Sequence, residues 1–362
     1  MSNGTQATEG ISGRKADHIE LCATGDVGFK QKTTLFEHVD LVHDALPELS
    51  LDEIDTSITL LGKKLRAPIV IAAMTGGTER AREINRQLAA IAEERGYGFG
   101  LGSQRAMLRA DKDDTYAVRD VAPSILILGN IGAVQARELS TDAAQDLVGR
   151  VGADALCVHM NPAMEIVQPG GDRYFAGALG AMERLAEELK VPVVAKETGC
   201  GIGPRTARRI ARAGVKHIDT SGAGGTSWVA VETARATASA RSLGIAFREW
   251  GVPTAASVMI CKRTKPRFES IIATGGIMSG IDAAKAIALG AHAAGIARPV
   301  LQAFVAGGRE GTIRFLDQVE AEIRAVMLLT GSGTVRALRK APALLTGDLP
   351  RWAALAAPKS ER

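Results

Sequence analysis

His159, Asn161 and Glu165 lie within the stretch Cys157 to Phe175, CVHMNPAMEIVQPGGDRYF, directly after a short apolar run. An imidazole, an amide and a carboxylate grouped this way suit an anionic substrate held through a metal ion. The run 154–158 reads as a strand buried on both faces. Asn161-Pro162 then turns the chain away from helix, because the residue before a proline is pushed toward extended geometry. The polar side chains are therefore expected in a loop at the strand's carboxyl end, where parallel barrels carry their chemistry.

A second chemical signal sits late in the chain. Ala273-Thr274-Gly275-Gly276-Ile277 and Gly295-Ile296-Ala297-Arg298 each follow or close an apolar run. Glycines let backbone N–H groups approach phosphate oxygens, and the loops after the seventh and eighth strands of a barrel are its usual phosphate site. Tight turns alone account for either glycine group; the two together at these positions favour a phosphate.

The ends of other apolar runs carry small, hydroxyl or amide residues: Ala73, Met74 and Thr75, then Ser103, Gln104 and Arg105, then Asn130 and Lys196. A flat heteroaromatic ring needs donors and acceptors along its edges and a cation near the locus that becomes anionic on reduction. Thr75, Ser103, Asn130 and Lys196 have the right types. Singly, Thr75 and Ser103 read as turn residues, Asn130 as a strand-end cap and Lys196 as half of a buried ion pair. Their shared location points to flavin mononucleotide (FMN), with its phosphate in the cradle.

The elements that must position these residues follow from periodicity. Buried runs at 69–74, 97–101, 125–130, 154–159, 193–197, 217–220, 271–274 and 293–296 alternate with helical patterns at 81–95, 141–151, 178–190, 204–213 and 280–289. Strand–helix alternation argues for a parallel sheet, and eight units argue for closure. The expected fold is α/β, a TIM (β/α)8 barrel of the FMN-dependent type with an N-terminal arm and a hairpin plug. The hairpin turns at Gly62-Lys63, under the first strand. Residues 1–13 are expected as a flexible tail, 14–343 as one barrel domain with an insertion around 222–270 over its mouth, and 344–362 as a surface tail. Within the domain, 310–329 has helical spacing.

Composition excludes several classes. A hydrophobic content of 46% supports a sizeable core, and 44 basic against 40 acidic residues is too balanced to imply a nucleic-acid partner. No apolar run reaches the roughly 18 residues of a membrane span, and the start has no apolar signal core. A cytoplasmic protein is expected. Cys22, Cys157, Cys200 and Cys261 lack paired spacing, as reduced thiols would.

The motifs together give a resemblance. Arg14-Lys15-Ala16-Asp17-His18, MTGG at Met74 to Gly77, GSQR at Gly102 to Arg105, GNIGA at Gly129 to Ala133, HMNPAMEIVQPGGD at His159 to Asp172, AKETGCGI at Ala195 to Ile202 and DTSGAGGT at Asp219 to Thr226 resemble the type 2, FMN-dependent isopentenyl-diphosphate isomerases over nearly the whole chain. The glycine motifs occur in many FMN barrels. The Arg-Lys-x-Asp-His start with GSQR and H-x-N-P is more specific.

The resemblance implies conversion of isopentenyl to dimethylallyl diphosphate by FMN held reduced by NADPH, with Mg2+, in a homo-oligomer, tetramer or octamer. It implies a substrate clamp of Arg14, Lys15, His18, Ser103, Gln104, Arg105, His159 and Asn161, with Glu165 on the metal. The flavin shell it implies adds Ser221 and Thr226 to Ala73, Met74, Thr75, Ser103, Asn130 and Lys196. Its phosphate cradle comprises Gly275, Gly276, Ile277, Met278, Ala297 and Arg298. Two positions depart from the family pattern: Met164 stands where H-x-N-x-x-Q-E has its glutamine, and Gly170 where a glutamate is usual. A thioether cannot reproduce an amide's donor and strong acceptor, so no protein side chain is assigned as catalytic beyond the reduced flavin. Two alternatives follow: a homologue that binds FMN or an isoprenoid diphosphate with altered or lost isomerase activity, and an FMN-dependent α-hydroxyacid oxidase. The segment Ser221 to Trp228, SGAGGTSW, lacks the histidine and arginine that such oxidases carry there.

Overall fold

A computed structural model describes residues 3–108 and 113–355; the side chains of residues 3–12 and of Arg14 lie outside what it describes. Eight strands form a closed parallel barrel: β1 (Ile69–Ile71), β2 (Gly98–Gly100), β3 (Ile127–Gly132), β4 (Ala155–Met160), β5 (Val193–Glu197), β6 (His217–Asp219), β7 (Ser270–Ala273) and β8 (Ala293–Ile296). They pair in chain order, and β8 closes on β1 with Ala294 opposite Ile69. The α/β barrel expected from the alternating runs is the fold observed.

Alternation along each strand divides the core in two. Val70, Leu128, Ala155, Cys157, Val194, Ile272 and Ala293 point inward and pack on Leu60 and Leu65 of the antiparallel hairpin Ile58–Leu60/Lys63–Leu65, which plugs the barrel floor. The other faces, such as Ile69, Ile71, Phe99 and Ile127, pack outward against the helices. The helices begin where the sequence supplies caps. Thr78 accepts from Ala81 N at 3.1 Å to start Glu79–Arg95, and Ser279 accepts from Asp282 N at 3.1 Å to start Gly280–Ala288. Such caps contribute about 1 kcal/mol each.

Between β6 and β7 lie three helices, Trp228–Arg235, Ala238–Phe247 and Thr254–Arg263. The last packs on β7 as the crossover; the first packs on the N-terminal helix Asn3–Thr24 and brings Trp228 to the barrel mouth. The segments expected as tails carry regular structure. Residues 3–13 belong to the N-terminal helix, Ala343–Leu345 pairs with Val39–Leu41, and Leu349–Ala354 buries Leu349 and Ala353. Their partners are remote in sequence, so no local pattern revealed them. The late helix runs from Arg298 to Leu329, broken at Gly308 (φ 56°). No described helix is long and apolar enough to cross a membrane.

His292 closes the turn into β8. Its Nδ1 accepts from the Ile271 backbone N–H at 3.0 Å, so protonation would set one N–H against another. Burial, with Arg339, Lys262 and His217 nearby, pushes its pKa down to about 4. The folded state therefore binds this proton less readily than the unfolded chain, whose imidazole titrates near ~6.5. Stability is full above that pH and falls as pH drops toward 4, by on the order of 2 kcal/mol for this ring. Urea midpoints between pH 7 and 4 will show a shallower acid loss in His292→Asn, whose amide oxygen still accepts from Ile271; equal slopes would remove His292 from the account.

Candidate functional site

The carboxyl ends of the eight strands surround a cavity of about 500 Å3, within the range of small-molecule sites. Of the residues expected in it, Lys15, His18, Ser103, Arg105, His159 and Asn161 line it, as does Glu165. So do Ala73, Met74, Thr75, Asn130 and Lys196, together with Ser221 and Thr226. The proposed cradle, Gly275, Gly276, Ile277, Met278, Ala297 and Arg298, lines the same cavity. Arg14 falls outside the described side chains. Gln104 is the residue the barrel does not bring in: it is fully buried, its Oε1 accepts from Asn130 N at 2.8 Å and its Nε2 donates to Leu147 O at 3.2 Å. It braces β3 from behind because the turn after β2 points it away from the mouth.

The loop after β4 is more ordered than its sequence suggests. Asn161 at the N-cap has φ −143° and ψ 40°, outside the helical region, and Pro162 opens one helical turn, Pro162–Glu165, since a proline is tolerated where no N–H is needed. That turn fixes Glu165, which is 5% exposed. Its Oε1 accepts from Asn161 Nδ2 at 2.8 Å, its Oε2 from Asp172 N at 2.7 Å and Gln168 Nε2 at 3.4 Å, and the Arg173 guanidinium donates to its carbonyl. A carboxylate has about four acceptor positions, so one remains for a ligand or cation. Met164 faces the cavity with Sδ 3.8 Å from Asn161 Nδ2.

Cations converge from two sides. Arg105 Nη1 lies 3.6 Å from Asp172 Oδ2, while its buried Nε has no partner among the described residues. Lys15 reaches in from the N-terminal helix, donating to Tyr116 Oη at 2.7 Å and to Ser103 O at 3.2 Å. His18, by contrast, holds Glu232 Oε1 through Nε2 at 2.7 Å and meets Trp228 edge-on at 5.3 Å between ring centroids. Glu232 is fully buried and also pairs with Arg235. His18 thus ties the N-terminal helix to the insertion.

In the barrel centre Lys196 Nζ sits 2.7 Å from Asp219 Oδ2, and the Thr274 hydroxyl donates to the other oxygen. Next to Lys196, Glu197 is buried and accepts from the backbone N–H groups of Thr198 and Gly199, each at 2.7 Å. Burial pushes its pKa up to about 7 against these and two further backbone donors. Burial, with Lys196 and Arg105 beside it, pushes His159 down to about 4.

The glycine turns form a fitted surface. Gly275 and Gly276 have φ of 97° and 69°, and a Cβ on Gly225 would overlap the Gly276 backbone N. The bare backbone there, open to the cavity, fits a phosphate. Arg298 spans the cradle edge, donating to Cys22 O at 2.9 Å and Gly25 O at 2.6 Å. Sequence reasoning missed Gln135, Phe29 and Trp228 as lining residues and Asp219, Glu232 and Asp172 as partners. Asp219, heading the DTSGAGGT motif, and Asp172, closing HMNPAMEIVQPGGD, carried local signals.

Comparison with known proteins gives the chain's family and agrees with its fold. The FMN-dependent dehydrogenase family matches residues 7–111 and 160–344. An isopentenyl-diphosphate delta-isomerase of Methanothermobacter thermautotrophicus is 44% identical over 94% of this chain and 95% of its own length. Isomerases so named from Halobacterium salinarum (44%; 92% of this chain and 93% of the relative) and Pyrococcus abyssi (42%; 94% of each) are similar. Among solved structures, a mandelate oxidase variant with benzaldehyde superposes at a TM-score of 0.62 with 20% identity, covering 95% of this chain and 98% of its own. A putative lactate oxidase of Pediococcus acidilactici also reaches 0.62 at 15% identity, covering 94% of each chain. These two share the fold.

Proposed function

Because the chain belongs to the FMN-dependent dehydrogenase family and to the isopentenyl-diphosphate delta-isomerases, we propose that it converts isopentenyl diphosphate to dimethylallyl diphosphate. The observation that supports this reading is that one cavity is lined both by the glycine cradle and by Lys15, Arg105 and Glu165, which we read as two anion sites. A flavin phosphate accounts for the first. A second site with two cations and a carboxylate suits a diphosphate with a divalent cation better than a single carboxylate substrate.

The glycine cradle would hold the phosphate of FMN and the strand-end residues Thr75, Ser103, Asn130 and Lys196 its ring; kept reduced by NADPH, the group would supply acid–base chemistry for the double-bond shift. The chain's own residues bind and orient. Arg105 and Lys15 hold the diphosphate by charge-assisted hydrogen bonds, with Asn161 close by. Glu165 presents a carboxylate to Mg2+. Lys196, held by Asp219, places a positive charge where the ring's polar edge would lie. Anchoring the diphosphate sets the apolar isoprene unit over the ring face, so that binding energy becomes orientation.

Met164 favours a second reading, a homologue with altered or lost isomerase activity. The test is an anaerobic assay of the purified protein with reduced FMN, Mg2+ and isopentenyl diphosphate, beside Met164→Gln. The unaltered protein is expected to form product, and the glutamine to raise the rate by up to about 10²-fold, the scale of one polar group near the reacting atoms. No product from the unaltered protein, with rescue by the glutamine, would transfer support to the second reading.

A further inference from the structure

The Leu101 carbonyl, just beyond β2, is a pure acceptor, and Asn130 Nδ2 donates to it at 3.1 Å. That contact fixes which way the amide faces: turned over, it would set oxygen against oxygen. Oδ1 of Asn130 is then the atom 2.9 Å from His159 Nδ1. An amide oxygen only accepts, so His159 carries its proton on Nδ1. Its Nε2 meets no hydrogen-bond donor among the described residues. Burial is the largest influence on the ring, and the charged groups that act on it, Lys196 from β5 and Arg105 from the loop after β2, are both cations; together they disfavour an imidazolium and outweigh the Ile131 backbone carbonyl, which favours one. What remains on Nε2 is a lone pair.

A second acceptor lies beside it. A Cβ built on Gly132 would be 3.3 Å from His159 Nε2 and would overlap Gln135 Oε1, so both atoms converge on the same small space. Gln135 is oriented in turn by its Nε2, which donates to Asp172 Oδ2 at 3.0 Å. His159 and Gln135 both line the cavity.

We propose that Asn130 is a positioning residue that locks His159 in the Nδ1–H tautomer, and that His159 Nε2 with Gln135 Oε1 forms a paired acceptor for an O–H donor of the bound diphosphate. The ligand class rests on the function proposed above; the tautomer does not. The O–H comes from one of two sources, the acidic proton of the terminal phosphate or a water held on the divalent cation. In either case His159 does not act as a cationic clamp residue, and the site discriminates against a fully deprotonated, metal-free diphosphate.

The first arm of the test needs no turnover. Imidazole 15N spectra of the FMN-loaded protein at pH 7, with His159 assigned among the six histidines by comparison with His159→Gln, are expected to show a protonated Nδ1 and a bare Nε2. An Nε2–H tautomer or an imidazolium would overturn the proposal, whatever the enzyme's activity. In Asn130→Asp the carboxylate facing Nδ1 is expected to bring the ring's titration upward toward neutral pH; an Asn130 that only props β3 would leave it unmoved. The second arm measures isopentenyl diphosphate binding from pH 6 to 9 with and without Mg2+. A fall of about tenfold per pH unit above the phosphate pKa, in either condition, assigns the phosphate proton. Binding that needs Mg2+ and is flat with pH assigns the metal's water. Binding indifferent to both would exclude the paired acceptor.

Discussion

Arg105→Ala will raise the KM for isopentenyl diphosphate by about 10²- to 10³-fold while the purified protein keeps its FMN. The size follows from the number and kind of bonds at stake. Arg105 lines the cavity, its Nε has no partner among the described residues, and its Nη1 lies 3.6 Å from Asp172, beyond hydrogen-bond reach, so its guanidinium edge is available to an anion. A hydrogen bond to a charged group is worth about 1.5–3 kcal/mol, and a guanidinium makes such bonds in pairs. Losing a pair costs about 3–4 kcal/mol, which is the stated factor. Arg105→Lys should recover only part of it, because a point charge cannot reproduce the planar fork. Steady-state kinetics with the flavin content read from visible absorbance separates the possibilities. If flavin were lost with substrate affinity, Arg105 would belong to the cofactor's surroundings and the second anion site would lose its main cation.

The sequence made the scaffold legible because parallel strands buried on both faces read as short apolar runs. Runs such as Val193–Glu197 and Ala293–Ile296 begin and end in the structure where the pattern places them. The cavity's lining was legible for a related reason: a barrel sends strand-end residues to one mouth, so position along a strand predicts location. What position cannot predict is where a side chain turns and what it meets. Gln104 sits between two lining residues, yet the short 3-10 turn Gln104–Ala106 aims it into the framework. The resemblance sets His18 with the diphosphate, and His18 does line the cavity. Its partner, Glu232, is 214 residues away, and no local pattern encodes that pairing. The N-terminal helix was illegible for the same reason, since its buried face, Ile19 and Cys22, packs on elements from the far end of the chain.

Lys196→Met will show that one ion pair has two separable roles. Lys196 and Asp219 are 7% and 3% exposed, 2.7 Å apart, in register across β5 and β6. Asp219 also accepts from the Thr274 hydroxyl, so its orientation is fixed whether or not the lysine is present. Replacing the ammonium with a thioether leaves a carboxylate buried and unpaired, a change that typically costs about 3–5 kcal/mol. In a chain of 362 residues, where each kcal/mol shifts Tm by roughly 1.3 °C, that corresponds to a fall of roughly 4–7 °C. Adding Asp219→Asn removes the orphaned charge and should return much of the lost stability, since Thr274 can still bond to the amide. It should not return catalysis, because the positive charge at the ring's edge is still missing. Calorimetry on the two single variants and the double variant reads the first role, and FMN affinity with the reduction midpoint of the bound flavin reads the second. Additive losses in Tm would mean that the pair is not coupled in the fold. A midpoint unchanged in the double variant would mean that Lys196 serves the barrel alone, and the polar edge of the ring would have to find its cation elsewhere.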